Sequence, residues 1–184
     1  EFPEADTEIY FDVESDPTRD VDYLLGVLVK NKAGEPEYKY FLAKDKSEEK
    51  AMWQKFLDFL TTFENFVIYH FAYYEKQVFD RLTLQCEAPM ALVNKFNEST
   101  IDLHAVTVDS VVLPLYFYTL KDIAQFLGYK WDDPEAGGAE SVVWYNQWLD
   151  THDEAILQKI LKYNEDDVRA TMLVKEWLAQ QKPT

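Results

Sequence analysis

Several features that often organise a protein chain are scarce or absent here. The 184 residues include one cysteine, Cys86, so no disulfide can form within the chain. This composition suits a reducing compartment, and we expect a cytoplasmic protein. No apolar run is long enough to cross a membrane and no signal peptide is visible, so we expect no membrane partner. No Gly-x-Gly-x-x-Gly motif follows a predicted strand, which argues against a Rossmann-type cofactor site.

Basic residues are scarce as well. The chain has 18 lysines and arginines against 34 acidic residues, and its formal net charge is −16. A free-standing, non-specific nucleic-acid binder normally carries a basic face, so the composition argues against that class. Nucleic-acid chemistry is not excluded, because a bound metal ion can reverse the sign of the local field.

Apolar residues, in contrast, are plentiful. Hydrophobic residues make up 47% of the chain and aromatic residues 16%, which indicates a globular protein with a substantial core. We expect residues 1–184 to form a single domain excised from a longer protein, because Glu1-Phe2-Pro3 and the polar segment 180–184 look like cuts through linkers. Other domains of that longer protein are therefore expected partners.

The stretch Ile9–Ser15 is predicted to be a strand that ends in two acids. Side chains on a strand alternate between faces, so Asp12 and Glu14 point the same way while Val13 points into the core. Two such charges about 4 Å apart would repel by roughly 4 kcal/mol at an effective dielectric of 20. A cation such as Mg²⁺, which takes carboxylate oxygens as ligands, would remove that repulsion.

The hydrophobic pattern along the rest of the chain indicates an α/β fold. A strand over 8–14, an apolar run over 23–29 and a strand over 38–43 predict a three-stranded antiparallel meander. A helix beginning at Ser47, a strand over 65–71 and a helix from 74 to 82 follow, and the chain from Ala88 onward is predicted to be mostly helical. The order predicts a mixed central sheet, the meander plus parallel strands, flanked by helices.

Two further patterns place acids on helices. Tyr163 and Asp167 are four residues apart on the last predicted helix and therefore share a face. Glu75 opens the helix that follows the strand ending at His70. Each pattern is ordinary by itself, since an acid in the first turn of a helix also complements the helix dipole. Their combination with the acid pair of the first strand, in this order, is far less ordinary.

These motifs resemble the three exonuclease motifs of the DEDD 3′–5′ exonucleases, which have a ribonuclease H-like fold. More closely, the chain is similar to the ribonuclease H-like exonuclease domain of RecB-like bacterial nucleases. The segments that carry this similarity are Tyr23–Val27, Tyr69–Phe71 with Glu75, Tyr118–Lys121, Val143–Tyr145 and Tyr163–Asp167.

The resemblance implies a role for five residues. The implied metal ligands, which would hold two Mg²⁺ or Mn²⁺ ions, are Asp12, Glu14, Glu75 and Asp167. Tyr163 would orient the attacking water, as in the tyrosine branch of the family. The histidine branch would need a histidine at the position of Lys162.

The predicted function is a divalent-metal-dependent 3′–5′ exonuclease that hydrolyses phosphodiester bonds of DNA or RNA, with single-stranded 3′ ends as substrate. The alternative is a non-catalytic ribonuclease H-like module that binds nucleic acid or a protein partner. Two departures from the family pattern keep this alternative open: Glu75 stands where many relatives have Asp, and His70 stands where many have Asn. Metal-dependent cleavage of labelled single strands would distinguish the two functions.

Overall fold

The computed structural model describes residues 1–86 and 88–181, so Glu87 and the last residues of the polar C-terminal segment, 182–184, lie outside it. Five strands form one mixed sheet in the order β3-β2-β1-β4-β5. β1 pairs antiparallel with β2 and β2 with β3, whereas β4 runs parallel to both β1 and β5. The strands are β1 Thr7–Asp16, β2 Val21–Asn31, β3 Glu37–Leu42, β4 Phe66–His70 and β5 Thr100–Asp102. The predicted α/β architecture, a meander extended by parallel strands, is therefore confirmed.

Seven helices in the described residues flank the sheet. They are α1 Lys46–Leu60, α2 Tyr74–Cys86, α3 Met90–Ser99, α4 Leu103–Ser110, α5 Leu120–Phe126, α6 Gly138–Thr151 and α7 Glu154–Ala179. Side-chain oxygens of Asp45, Thr119 and Asp153 accept hydrogen bonds from backbone N–H groups at the starts of α1, α5 and α7. These caps satisfy donors that the first helical turn leaves unpaired. None of the described helices combines the length and the apolar character needed to cross a membrane.

β1 lies at the centre of the sheet and separates two layers of helices. Ile9, Phe11 and Val13 point to the layer formed by α1, α2 and α3. Tyr10 points to the opposite layer, where it joins a cluster that includes residues of α5 and α7. Because faces alternate along a strand, Asp12 and Glu14 point toward α7, as the sequence pattern predicts.

The short strand β5 is the element that the sequence does not predict. The region after Ala88 was expected to be mostly helical, but Thr100–Asp102 pairs parallel with β4. Three residues are too few to show a strand period between two helices, and all three are only half-buried. The strand places Asp102 at the start of α4, where its carboxylate accepts hydrogen bonds from the backbone N–H groups of His104 and Ala72 at 2.8 and 2.9 Å.

Candidate metal centre

Three acids from distant parts of the chain converge where β1 meets the middle of α7. Asp12 and Glu14 come from β1 and Asp167 from α7. One ligand oxygen from each carboxylate lies within 4.8 Å of the other two, which makes this a group that could hold a metal ion. The structure therefore brings together three of the four acids that the sequence assigns to metal binding.

The electrostatics of this cluster favour a bound cation. Burial, together with the charges of Asp167 and Glu14, raises the pKa of Asp12 well above its usual value. Burial and the charge of Asp167 raise the pKa of Glu14 to about 8, and burial raises the pKa of Asp167 to about 7. Within residues 1–86 and 88–181, no lysine or arginine forms an ion pair with any of these carboxylates. Clustered acids without a cationic partner are the donor set that a hard divalent ion requires.

Glu75, the fourth predicted ligand, lies outside the group of three but close to it. Its charge contributes to the raised pKa values of both Asp12 and Glu14. The side chain is buried in the first turn of α2, and within the part of the chain that the structure describes its Oε2 atom has no hydrogen-bond partner. The Nδ1 atom of His70 lies 3.6 Å from Oε2, which is too far for a hydrogen bond. A buried carboxylate oxygen without a partner fits a ligand for a cation.

The loop between His70 and Glu75 is held in a strained conformation. Ala72 has a φ of 74°, a region that residues with a side chain rarely adopt. Its carbonyl oxygen lies 2.7 Å from His70 Nδ1, which must therefore donate the hydrogen bond, and its N–H donates to Asp102. These two contacts fix the turn that directs Glu75 inward.

Asp12 is held by Asn164, a residue inside the Tyr163–Asp167 motif for which the sequence pattern predicted no role. The amide nitrogen of Asn164 donates to Asp12 Oδ2 at 2.6 Å, and its amide oxygen accepts from the Tyr38 hydroxyl at 2.7 Å. Asn164 is fully buried and packs against Gly26, the residue opposite Asp12 on β2. A signal was available, because Asn164 precedes Asp167 by three residues and therefore shares its side of the helix.

Asp167 is held by Trp131, which lies in the segment before α6. The indole Nε1 donates to Asp167 Oδ1 at 2.7 Å. The hydroxyl of Tyr163 also lies close enough to Asp167 to lower the pKa of that carboxyl. Tyr163 thus lies beside the cluster. Nothing in the local sequence around Trp131 indicates its contact, since 36 residues separate it from Asp167.

Asp166 does not belong to the cluster. Its carboxylate accepts hydrogen bonds from the Tyr129 hydroxyl at 3.1 Å, the Asp132 N–H at 3.0 Å and Lys162 Nζ at 2.7 Å. All three partners lie away from β1, in agreement with the expected turn of about 100° between neighbouring helical residues. Asp166 therefore anchors the segment that carries Trp131.

Comparison with known families decides the relationship of this fold and site. A family model described as belonging to the RNase H superfamily matches residues 9–179. The chain belongs to the ribonuclease H superfamily. The predicted ribonuclease H-like fold is confirmed at this level, whereas the closer relationship to DEDD and RecB-like exonucleases stays a prediction. Comparisons of this ribonuclease H-like chain with curated proteins and with solved structures give no significant match.

A cavity at the opposite edge of the sheet does not compete with this site. It measures about 1310 Å³ and is lined by the starts of the chain and of β1, the end of β2 and the end of α7. Its lysines Lys30, Lys32 and Lys175 each form an ion pair with a nearby carboxylate. Among residues 1–86 and 88–181, the one group of acids, histidines or cysteines placed to hold a metal ion is the cluster described above, which does not line this cavity.

Proposed function

We propose that this protein is a divalent-metal-dependent nuclease that hydrolyses phosphodiester bonds from the 3′ ends of DNA or RNA single strands. The observation that carries the proposal is the convergence of Asp12, Glu14 and Asp167 within 4.8 Å, with Glu14 buried and the other two half-buried. No lysine or arginine among the described residues forms an ion pair with any of the three. Membership of the ribonuclease H superfamily supports it, because that superfamily includes hydrolytic nucleases.

Four residues would hold the metal, and the donor set fits Mg²⁺ or Mn²⁺. In addition to the three clustered acids, Glu75 would contribute a buried oxygen that has no hydrogen-bond partner among the described residues. Two bound ions would supply a water of lowered pKa and stabilise the leaving oxygen. The raised pKa values of Glu14 and Asp167 mean that the ions would displace protons from the site when they bind.

The chain's own residues would orient the reacting groups. Burial and the nearby carboxylates raise the pKa of Tyr163, so its hydroxyl stays protonated and can hydrogen-bond a water next to Asp167. Asn164 and Trp131 each donate a hydrogen bond to one acid of the cluster, Asp12 and Asp167 respectively. Those bonds keep the carboxylates in fixed orientations, which the chemistry of a positioned water requires.

The charge balance supports a further proposal about substrate delivery. With 34 acidic and 18 basic residues, the chain has few cations to neutralise phosphates. We propose that the substrate is held mainly through the metal ions at its end, and that other domains of a longer protein deliver it.

The test is cleavage of a 5′-labelled single strand in the presence of Mn²⁺. We expect successive shortening from the 3′ end, and no cleavage of a circular single strand. Asp12→Ala and Asp167→Ala should abolish the activity. Tyr163→Phe should slow hydrolysis while metal binding is kept, whereas Tyr40→Phe, at an exposed tyrosine of β3, should behave as the wild type. Activity that survives in the Asp12 variant would refute the assignment of the site.

A further inference from the structure

A cavity of about 320 Å³ lies beside the candidate metal centre. It is lined by residues of α6, α7 and the segment that precedes α6, and three of these residues are aromatic: Trp131, Trp144 and Tyr163. We call it the tryptophan cavity. Lys159 and Lys162 lie along its rim on α7.

The tryptophan cavity shares two of its aromatic walls with the metal centre. Trp131 donates a hydrogen bond to Asp167 at 2.7 Å, and Tyr163 interacts with the same carboxylate. The third wall, Trp144, lies with its ring centroid 6.5 Å from that of Tyr163, the two rings nearly perpendicular. Two residues that line the cavity therefore contact one of the proposed metal ligands directly.

The charges of the cavity argue against a phosphate as its occupant. Lys162 is already paired with Asp166 at 2.7 Å and faces Asp132 at 3.4 Å. Asp133 adds a third acid to the lining, against the two lysines. An anion would find no excess of positive charge there. An uncharged ring with polar edges would find both donors and acceptors.

The size and the walls favour one flat aromatic group. Pockets for small molecules usually measure 300–1,000 Å³, so a cavity of about 320 Å³ takes a single ring system. Aromatic side chains stack on the π-face that every nucleobase presents, and they do so with little regard to sequence.

We propose that the tryptophan cavity binds a nucleobase of the strand whose phosphodiester is cleaved, namely the base of the 3′-terminal nucleotide. The inference rests on the proposed nuclease function for its substrate, and it assigns to the cavity a role that the metal ligands do not have. Stacking in the cavity would make cleavage depend on the presence of a base at the 3′ end but not on which base it is.

The first experiment measures binding with the whole chain. A single strand with the fluorescent base 2-aminopurine at its 3′ end is titrated with protein in the presence of Ca²⁺. Stacking in the cavity should quench the fluorescence of the wild-type complex. Trp144→Ala removes a wall, and Ala155→Phe adds a ring at an exposed lining position without removing any core side chain. We expect each variant to lose the quenching and to bind about tenfold more weakly.

The control is Val143→Ala, which changes the exposed neighbour of Trp144 on the same helix. It should bind and quench as the wild type does. Because Ala155→Phe leaves the core intact, its result remains informative if Trp144→Ala does not fold. Wild-type quenching and affinity in a folded Ala155→Phe protein would overturn the proposal, and so would the absence of quenching in the wild-type complex.

A second experiment separates this proposal from the proposed function. The wild type is given Mn²⁺ and two strands that differ only in the 3′-terminal nucleotide, which is normal in one and abasic in the other. Slower cleavage of the abasic strand, by about tenfold, is expected. Equal cleavage of both would refute the role of the cavity while leaving the nuclease intact. Quenching by 2-aminopurine with no cleavage of either strand would refute the nuclease and leave the nucleobase site standing.

Discussion

The packing of Gly26 against Asn164 allows a sharp test of how the candidate metal centre is supported. A Cβ atom added at Gly26 would lie 1.5 Å from Asn164 Oδ1, so Gly26→Ala forces the amide to move. The amide cannot move freely, because Asn164 is fully buried and bonded to both Asp12 and Tyr38. We therefore expect the substitution to break the support of Asp12 without touching any metal ligand.

The magnitude follows from what the amide loses. Overpacking a well-packed site destabilises by about 1–3 kcal/mol. Each hydrogen bond lost at a buried group adds about 1 kcal/mol, and more where the partner is charged, as Asp12 is when ionised. Because the amide has two such bonds, we expect Gly26→Ala to lower the free energy of unfolding by roughly 3–5 kcal/mol. Gly138→Ala is the matched control, because an added Cβ there meets nothing within 4 Å and the position begins α6.

A double-mutant cycle, measured by urea unfolding, tests whether Gly26 and Asn164 act together. Asn164→Ala removes the three atoms that a Cβ at Gly26 would meet, namely Oδ1, Cγ and Nδ2. In the Asn164→Ala background, Gly26→Ala should destabilise the protein far less. The interaction free energy between the two substitutions should be on the order of 1–3 kcal/mol. An equal loss of stability in both backgrounds would show that the two residues act independently and that the proposed support is wrong.

Three further predictions concern the charged groups of the protein. Mn²⁺ at 100 times its dissociation constant should raise the Tm of the wild type by roughly 5–10 °C, and Asp12→Asn should remove most of that increase. An equal increase in the wild type and in the Asp12 variant would show that the ion binds elsewhere. Because the pKa values of Glu14 and Asp167, about 8 and about 7, lie above the unfolded values near 4, the native state binds more protons. The urea midpoint of the metal-free protein should therefore fall as pH rises from 5 to 8, and Mn²⁺ should reduce the fall; a rising midpoint would contradict the assigned burial. Binding of a single strand with Ca²⁺ should show a shallow salt slope, roughly −1.4 to −2, and a steep slope would reveal a basic groove.

Local patterns predict much of the fold because they act over a few residues. The alternation in Ile9–Ser15 fixes which face carries Asp12 and Glu14, and the apolar run over 23–29 predicts a strand buried on both faces. Neither depends on the rest of the chain. The three-residue strand β5 escapes the same reasoning, because its pairing with β4 and not its own sequence period defines it.

The residues that orient the acids of the site are harder to predict, because their contacts join segments that are distant in the sequence. Asn164 meets Asp12 across 152 residues, and Trp131 meets Asp167 across 36. The first contact needs α7 to cross β1 exactly where Gly26 leaves room, and the second needs the segment anchored by Asp166. A sequence motif names the ligands, but the residues that orient them are selected by tertiary packing.

The geometry of α7 connects these separate contacts. A rotation of about 100° per residue places Tyr163 and Asp167 in one row, with Asn164 on one side of that row and Asp166 on the other. The Asn164 side faces β1 and fixes Asp12, while the Asp166 side anchors the segment that carries Trp131. Between these two sides, Asp167 joins the acid cluster and Tyr163 lines the tryptophan cavity. One turn of this helix therefore sets the distance between the candidate metal ligands and the proposed nucleobase site. For this reason, a shift of α7 that leaves the rest of the fold intact should impair the candidate metal centre and the proposed recognition of the terminal base together.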